Sequence, residues 1–234
     1  MIALSHEKVD QLGDRLRQDL TEDDLRLLDS YRRSFSAGYE GVNATIRGRL
    51  KYALKSPLTG RPAKSTTSII EKLQRETTRL SQVQDIAGCR LLVSDVRTQN
   101  RVVSRLRKVF SRVKVVDRRR SSSHGYRAVH VIVTVDAKPI EIQIRTVLQH
   151  AWAELSEKLA DVIDPGIKYG TGPKETLATL SEYSDLVKRA EHLEVGTLAL
   201  AEREEIASVR EEIRQLMEKM TIRLGRRSTD AVPN

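Results

Sequence analysis

The chain has 234 residues, of which 39% are hydrophobic and 31% charged, a balance typical of a soluble, helix-rich globular protein with one substantial core, or one domain with a helical extension. Its net charge of +9 favours polyanionic partners such as nucleotides, RNA or anionic membranes, without choosing among them. Because Cys89 is the only cysteine, an internal disulfide and a cysteine-based zinc site are excluded. No signal-peptide pattern or membrane-length apolar run is present, so we expect a cytoplasmic protein without a membrane partner.

Helical periodicity dominates the first eighty residues. Apolar positions at helical spacing predict helices over residues 4–20, 21–36, 42–55 and 68–80. Thr21 is the predicted N-cap of the second helix, and Gly38 and Gly41 are predicted to separate it from the third. Pro57 and Gly60 predict a turn before the fourth helix.

Strand patterns begin near residue 86. The predicted strands cover residues 86–94, 113–116, 129–135 and 140–144. The last two form a predicted hairpin around Asp136–Pro139, and helices are predicted over 96–110 and 145–162. Residues 175–224 predict a long, charged amphipathic helix, with a break near Gly196 left open.

The order of these elements predicts an α/β (α+β) fold in which a mixed β-sheet is flanked by helices. The predicted domains are N-terminal helices over 1–41, a core over 42–164, a C-terminal helical extension over 165–227 and a disordered tail over 228–234. We expect the extensions to pack on the core, although they could instead join copies of the chain into a dimer or tetramer, or bind a partner.

The last predicted strand carries an unusual polar face. Its alternation puts the isoleucines of Ile140–Ile144 on one face and Glu141, Gln143 and Arg145 on the other. A carboxylate, an amide and a guanidinium in alternate positions suit a site that holds a metal and a phosphate. A second acid, Asp85, immediately precedes a predicted strand, and carboxylates are the protein ligands that Mg²⁺ prefers.

Four ordered motifs resemble the synthetase domain of RelA/SpoT-type alarmone synthetases. They are R-x-x-K-x-x-x-S-x-x-x-K over 61–72, D-x-x-G-x-R over 85–90, GYRAVH over 125–130 and EIQIRT over 141–146. The resemblance covers about residues 42–162 and implies a nucleotidyltransferase-like core. It also implies a small, single-domain, synthetase-only enzyme that moves a pyrophosphate from ATP to the ribose 3′-hydroxyl of GDP or GTP.

The resemblance implies a role for each motif. Arg61, Lys64, Ser68 and Lys72 would hold the ATP phosphates, and Arg90 would contact the ATP side. Ser68 and Lys72 lie one helical turn apart and so share a face. Without the resemblance, these basic residues are typical of a solvated surface.

The same resemblance implies a metal and an acceptor site. Asp85 and Glu141 are the implied catalytic residues and Mg²⁺ ligands, with activation of the 3′-hydroxyl as a second role for Glu141. Tyr126 would stack on the guanine base. The other implied acceptor-binding residues are Arg127, His130, Gln143 and Arg145.

Departures from the family pattern leave other functions open. Ala128 stands where the family motif has serine, and Arg118–Arg120 form a basic loop before it. With the positive charge, these features fit a toxic relative that pyrophosphorylates the 3′ end of tRNA or adenine nucleotides. A third alternative is a non-catalytic nucleotide- or partner-binding module, against which the two retained acids, Asp85 and Glu141, argue.

Overall fold

A computed structural model of the chain describes residues 5–18, 20–195, 204–216 and 218. The α-helices of the described residues include α1 (His6–Arg15), α2 (Glu22–Arg33), α3 (Ser36–Leu50), α4 (Thr66–Arg75), α5 (Val96–Val109), α6 (Val147–Val162) and α7 (Lys174–Val195). Residues 204–216 are also helical. The strands are β1 (Thr59–Arg61), β2 (Ala87–Val93), β3 (Val113–Asp117), β4 (Val129–Val135) and β5 (Lys138–Thr146). The predicted break near Gly196 and the predicted tail over 228–234 lie outside the described residues.

The strands form one five-stranded mixed sheet in the order β1-β2-β5-β4-β3, which confirms the predicted fold class. Strand β5 alternates as predicted, because Ile140, Ile142 and Ile144 have no exposed surface. The hairpin between β4 and β5 turns at Asp136 and Ala137, whose φ angles of 49° and 61° are left-handed. This turn matches the twist of the flanking strands, so β5 begins two residues earlier than the alternation suggested.

The chain divides into two compact units. The first consists of Met1–Leu91, Val103–Val115 and His130–Gln143. Within it, α1 is tied to the end of α4, since Arg17 Nε donates to the carbonyl oxygen of Leu73 at 2.8 Å. Side chains such as Leu12, Phe35, Ile46 and Leu73 fill its core.

The second unit consists of Leu92–Val102, Val116–Val129 and Ile144–Asn234. Its hydrophobic core joins one face of α6 to one face of α7, with residues from the helical segment 204–216. Trp152, Leu159, Tyr183 and Val187 are at its centre and Val209 packs there from the last helical segment. Among the described helices of the chain, none is both long enough and apolar enough to cross a membrane.

The helix predicted over 68–80 ends early, since α4 stops at Arg75. Two predictions that involve glycine were also wrong. Gly38 and Gly41 do not interrupt a helix, because α3 runs through both positions from Ser36 to Leu50. A methyl group on Gly38 would lie 3.6 Å from Val135 and 3.7 Å from Ile140, which are ordinary van der Waals distances, so the packing of α3 on the hairpin does not require glycine there. Gly60, predicted to lie in a turn, instead belongs to the short exposed strand β1.

Candidate active site

Asp85 lies between two lysines in the first unit. It precedes β2, while Lys72 projects from α4 and Lys64 lies just before the N-cap of that helix. Lys64 Nζ is 2.8 Å from Asp85 Oδ2, and Lys72 Nζ is 2.9 Å from Asp85 Oδ1. The backbone N–H of Lys64 also donates to the carbonyl oxygen of Ile86 at 2.5 Å, which fixes the loop against the strand. Three of the predicted site residues are therefore brought together.

The charge of Asp85 is stabilised by these lysines. Burial alone raises the pKa of the carboxyl, but the charges and hydrogen bonds of Lys72 and Lys64 outweigh it and lower the pKa to about 2. Asp85 is therefore ionised throughout the physiological pH range. An ionised carboxylate can bind a divalent cation, and the ammonium groups beside it can bind phosphate oxygens at the same place.

The stability of the protein should depend on this ionisation. Because the folded-state pKa of Asp85 lies below its ordinary value of 3.8, its stabilising contribution is complete well above that value and is lost as the pH falls towards about 2. The contribution at neutral pH is about 2 kcal/mol. Denaturant unfolding of the wild type and of Asp85→Asn should therefore differ most near neutral pH and converge in acid. A difference that does not change with pH would contradict this assignment.

Glu141 is another half-buried carboxylate of the first unit. It lies on β5 within 2.7 Å of His130 Nδ1 and accepts a hydrogen bond of 2.8 Å from Gln143 Nε2. Burial and the negative charge of Asp85 raise the pKa of Glu141, but His130 and Gln143 outweigh them and lower it. Burial, and then the charge of Glu141, raise the pKa of the neighbouring Cys89 thiol to about 12, so that thiol stays neutral.

The two carboxylates fit a magnesium ion. In the described part of the chain, no group of three or more His, Cys, Asp and Glu side chains is arranged to hold a metal. Mg²⁺ does not need such a cage, because it commonly takes one or two carboxylates and completes its shell with substrate phosphates and water. Asp85 and Glu141 are two carboxylates of the kind that such a donor set uses, and the charge of Asp85 acts to raise the pKa of Glu141.

Strands β1 and β2 carry two more of the predicted ATP residues. In their antiparallel register Arg61 lies opposite Gly88 and Thr59 lies opposite Arg90. Directly opposite residues and alternate residues along a strand share a face, so Arg61 and Arg90 lie on one face of this pair. Ser68, in the first turn of α4, accepts a hydrogen bond of 2.7 Å from the N-cap residue Ser65.

Tyr126 lies at a tight turn in the second unit. Its N–H donates to the carbonyl oxygen of Ser123 at 2.9 Å, and His124 and Gly125 have left-handed φ angles of 50° and 86°. Arg145 Nη2 donates to the Tyr126 hydroxyl at 3.0 Å, and the guanidinium carbon lies 5.1 Å from the centre of the ring. Two predicted acceptor residues therefore contact each other.

Arg127 has a partner that the sequence analysis missed. Its guanidinium makes a bidentate pair with Glu191 on α7, with distances of 3.0 Å from Nε and 2.5 Å from Nη2. Both residues are only 6% exposed. Contact of Arg127 with an acceptor stays a prediction. A signal for its partner exists in the sequence, since Glu191 lies on the helix face that carries Val187 and Ala190, where an unpaired charge is costly.

Comparison with known proteins identifies the central part of the chain. Residues 60–160 match the family model described as a region found in RelA / SpoT proteins. The uncharacterized protein Rv1366 of Mycobacterium tuberculosis is 38% identical over 144 residues, which are 58% of this chain and 51% of that protein. GTP pyrophosphokinase YjbM of Bacillus subtilis is 32% identical over 151 residues, 56% of this chain and 66% of the relative. The chain thus spans about half the length of the first curated relatives it matches.

Solved structures agree with this result. The structure of smu.1046c from Streptococcus mutans matches with a TM-score of 0.52 and 28% identity, over 82% of this chain and 99% of that one. Small alarmone synthetase 1 of Bacillus subtilis, bound to its product pppGpp, matches with a TM-score of 0.55 and 24% identity, over 82% of this chain and all of that one. The fold is that of the small alarmone synthetases. Residues 60–160 belong to the RelA/SpoT family, which confirms the resemblance that the four motifs indicated.

Proposed function

We propose that this protein is a Mg²⁺-dependent pyrophosphokinase that transfers the β,γ-pyrophosphate of ATP to the ribose 3′-hydroxyl of GDP or GTP, making (p)ppGpp. The observation that carries the proposal is the pair of half-buried, ionised carboxylates, Asp85 and Glu141. Two ammonium groups hold the first, and an imidazole and an amide orient the second. The names of the Bacillus relatives, a GTP pyrophosphokinase and a small alarmone synthetase, support the same reaction.

On the donor side, Lys64 and Lys72 would bind phosphate oxygens of ATP. Each ammonium has three hydrogen-bond donors, so it can keep Asp85 as a partner while it binds a phosphate. Asp85 and Glu141 would hold the Mg²⁺ ion that synthetases of this family typically use. When bound, that ion neutralises charge on the phosphates during the transfer.

On the acceptor side, Glu141 would take the proton of the attacking 3′-hydroxyl. The 3′ oxygen forms a bond with the β-phosphorus, the bond between that phosphorus and the α-phosphate oxygen breaks, and AMP leaves. The lowered pKa of Glu141 keeps it ionised and able to accept the proton, and His130 and Gln143 fix its orientation. Tyr126 would stack on the guanine base.

Label transfer tests this function directly. The purified protein with Mg²⁺ and ATP labelled at the γ-phosphate is offered GDP, GTP, adenine nucleotides or bulk tRNA in separate reactions. Label on GDP or GTP is the expected result. Label only on tRNA or adenine nucleotides would replace the proposal by the toxic alternative, and transfer to tRNA should weaken steeply with salt. No transfer to any acceptor would favour a binding module.

Removal of the Tyr126 ring should weaken binding of the acceptor nucleotide and leave binding of ATP little changed. Because a base stacked on an aromatic ring gains about 1–3 kcal/mol, Tyr126→Ala should raise KM for GDP or GTP by about five- to a hundredfold. KM for ATP should change little. Tyr126→Phe is the matched control, because it keeps the ring and loses only the hydroxyl that accepts from Arg145. Steady-state kinetics with each substrate varied in turn measure both constants, and unchanged acceptor use in Tyr126→Ala would contradict the stacking role.

A further inference from the structure

Helix α7 contacts the residue before Tyr126 and the residue after it. Ser184 Oγ donates to the carbonyl oxygen of Gly125 at 2.8 Å. Glu191 binds the guanidinium of Arg127 through both carboxylate oxygens. Ser184 and Glu191 are separated by about two helical turns, so they lie on the same face of the helix. One helix face therefore holds the backbone before the proposed stacking ring and the side chain of the residue after it.

The turn before Tyr126 has no room to move towards α7. A methyl group on Gly125 would lie 2.9 Å from Trp152 Cζ2 and 3.1 Å from Ser184 Cβ. Trp152 is itself fixed to α7, because its indole N–H donates to the carbonyl oxygen of Leu180 at 2.8 Å. The rings of Tyr126 and Trp152 have their centres 6.4 Å apart. The close packing around Gly125 and the hydrogen bond of Trp152 to α7 thus both restrict the position of Tyr126.

Glu191 also joins α7 to the start of α6. Gln149 Nε2 donates to Glu191 Oε1 at 2.7 Å, and Gln149 forms a reciprocal cap with Thr146 at the N-terminus of α6. Thr146 follows Arg145, whose guanidinium donates to the Tyr126 hydroxyl. The buried carboxylate of Glu191 therefore contacts the side chain of Arg127, which follows Tyr126, and also Gln149, which caps α6 just after Arg145.

We propose that α7 is the positioning element of the acceptor site, with Glu191 and Ser184 as positioning residues that act through Tyr126. This inference rests on the proposed function, in which Tyr126 stacks on the acceptor base. Helix α7 lies outside residues 60–160, the part of the chain that the family model matches. Variation in α7 should therefore change use of the acceptor nucleotide while the family motifs stay intact.

The test compares KM for the acceptor nucleotide with KM for ATP in variants of α7. Glu191→Gln keeps the shape of the side chain and removes its charge, and Ser184→Ala removes one hydrogen bond. We expect KM for the acceptor to rise about tenfold or more in Glu191→Gln and about threefold in Ser184→Ala, with KM for ATP within about twofold of the wild type. Glu182→Gln and Ser181→Ala, at exposed positions of the same helix, are the matched controls and should behave as the wild type.

Calorimetric titration with GTP, and separately with ATP and Mg²⁺, gives a readout that does not depend on turnover. Weaker binding of GTP with unchanged binding of ATP supports the positioning role, even if the wild type transfers pyrophosphate to no acceptor and the proposed function fails. Equal effects on both substrates, a loss of kcat alone, or no effect in either variant would overturn the inference. Should Glu191→Gln fail to fold, the milder Ser184→Ala decides by the same criteria. A wild type that binds no GTP would overturn both proposals.

Discussion

Glu141→Gln is expected to fold and to lose pyrophosphate transfer by about a thousandfold or more, since a positioned general base alone contributes roughly 10²–10⁴. The amide keeps the size of the side chain but cannot take the proton of the 3′-hydroxyl, and it is a poorer ligand for Mg²⁺. His130 and Gln143 lose a charged hydrogen-bond acceptor. The expected loss of stability is therefore modest, about 1–3 kcal/mol.

Asp85→Asn should reduce pyrophosphate transfer by a similar factor, for a different reason. The amide no longer neutralises Lys64 and Lys72, and the donor set for Mg²⁺ loses one of its two carboxylates. Label transfer measures the rates, and circular dichroism with thermal unfolding shows whether each variant folds. Glu71→Gln, at an exposed position on α4, is the control and should keep the wild-type rate. Rates near the wild type in both Asp85→Asn and Glu141→Gln would exclude the proposed mechanism.

Features with a local cause were predictable from the sequence. The alternation of Ile140–Ile144 predicted the buried face of β5, because side chains on a strand alternate by geometry alone. Thr21 caps α2 as expected, since its hydroxyl accepts from the backbone N–H of Asp24. The resemblance to the family motifs implied that Lys64, Lys72 and Asp85 belong to one site, and the structure brings these three side chains together. Their roles in the reaction stay predictions.

Features that depend on distant parts of the chain were missed. The local pattern places Glu191 on a buried helix face, but Arg127 lies 64 residues away and nothing near either residue identifies the other as its partner. The continuity of α3 was missed because a helical glycine costs only about 1 kcal/mol, and burial of Val42, Ile46 and Leu50 on the same helix offsets that cost. Strand β1 is three exposed residues long, and its pairing with β2, not its own pattern, defines it.

Substitution of Gly88, the glycine of the D-x-x-G-x-R motif, should lower both stability and turnover. A methyl group there would lie 2.6 Å from the carbonyl oxygen of Glu141 and 3.3 Å from its Cβ. The obstacle is backbone of a neighbouring strand and not the end of a flexible side chain, so β2 and β5 must move apart. Gly88→Ala should lower the free energy of unfolding by about 3 kcal/mol. Since Glu141 moves with its strand, turnover should fall by roughly a hundredfold in the protein that remains folded.

Gly48→Ala is the matched control, because the methyl group that it adds enters open space. Gly48 lies on α3, and a methyl group at this position meets nothing within 4 Å. Alanine is the better helix former by about 1 kcal/mol, so the control should be slightly more stable than the wild type with an unchanged rate. Denaturant unfolding and label transfer on both variants separate the two effects. A Gly88→Ala protein as stable and as active as Gly48→Ala would show that close approach of β2 and β5 is not needed to hold Glu141 in place.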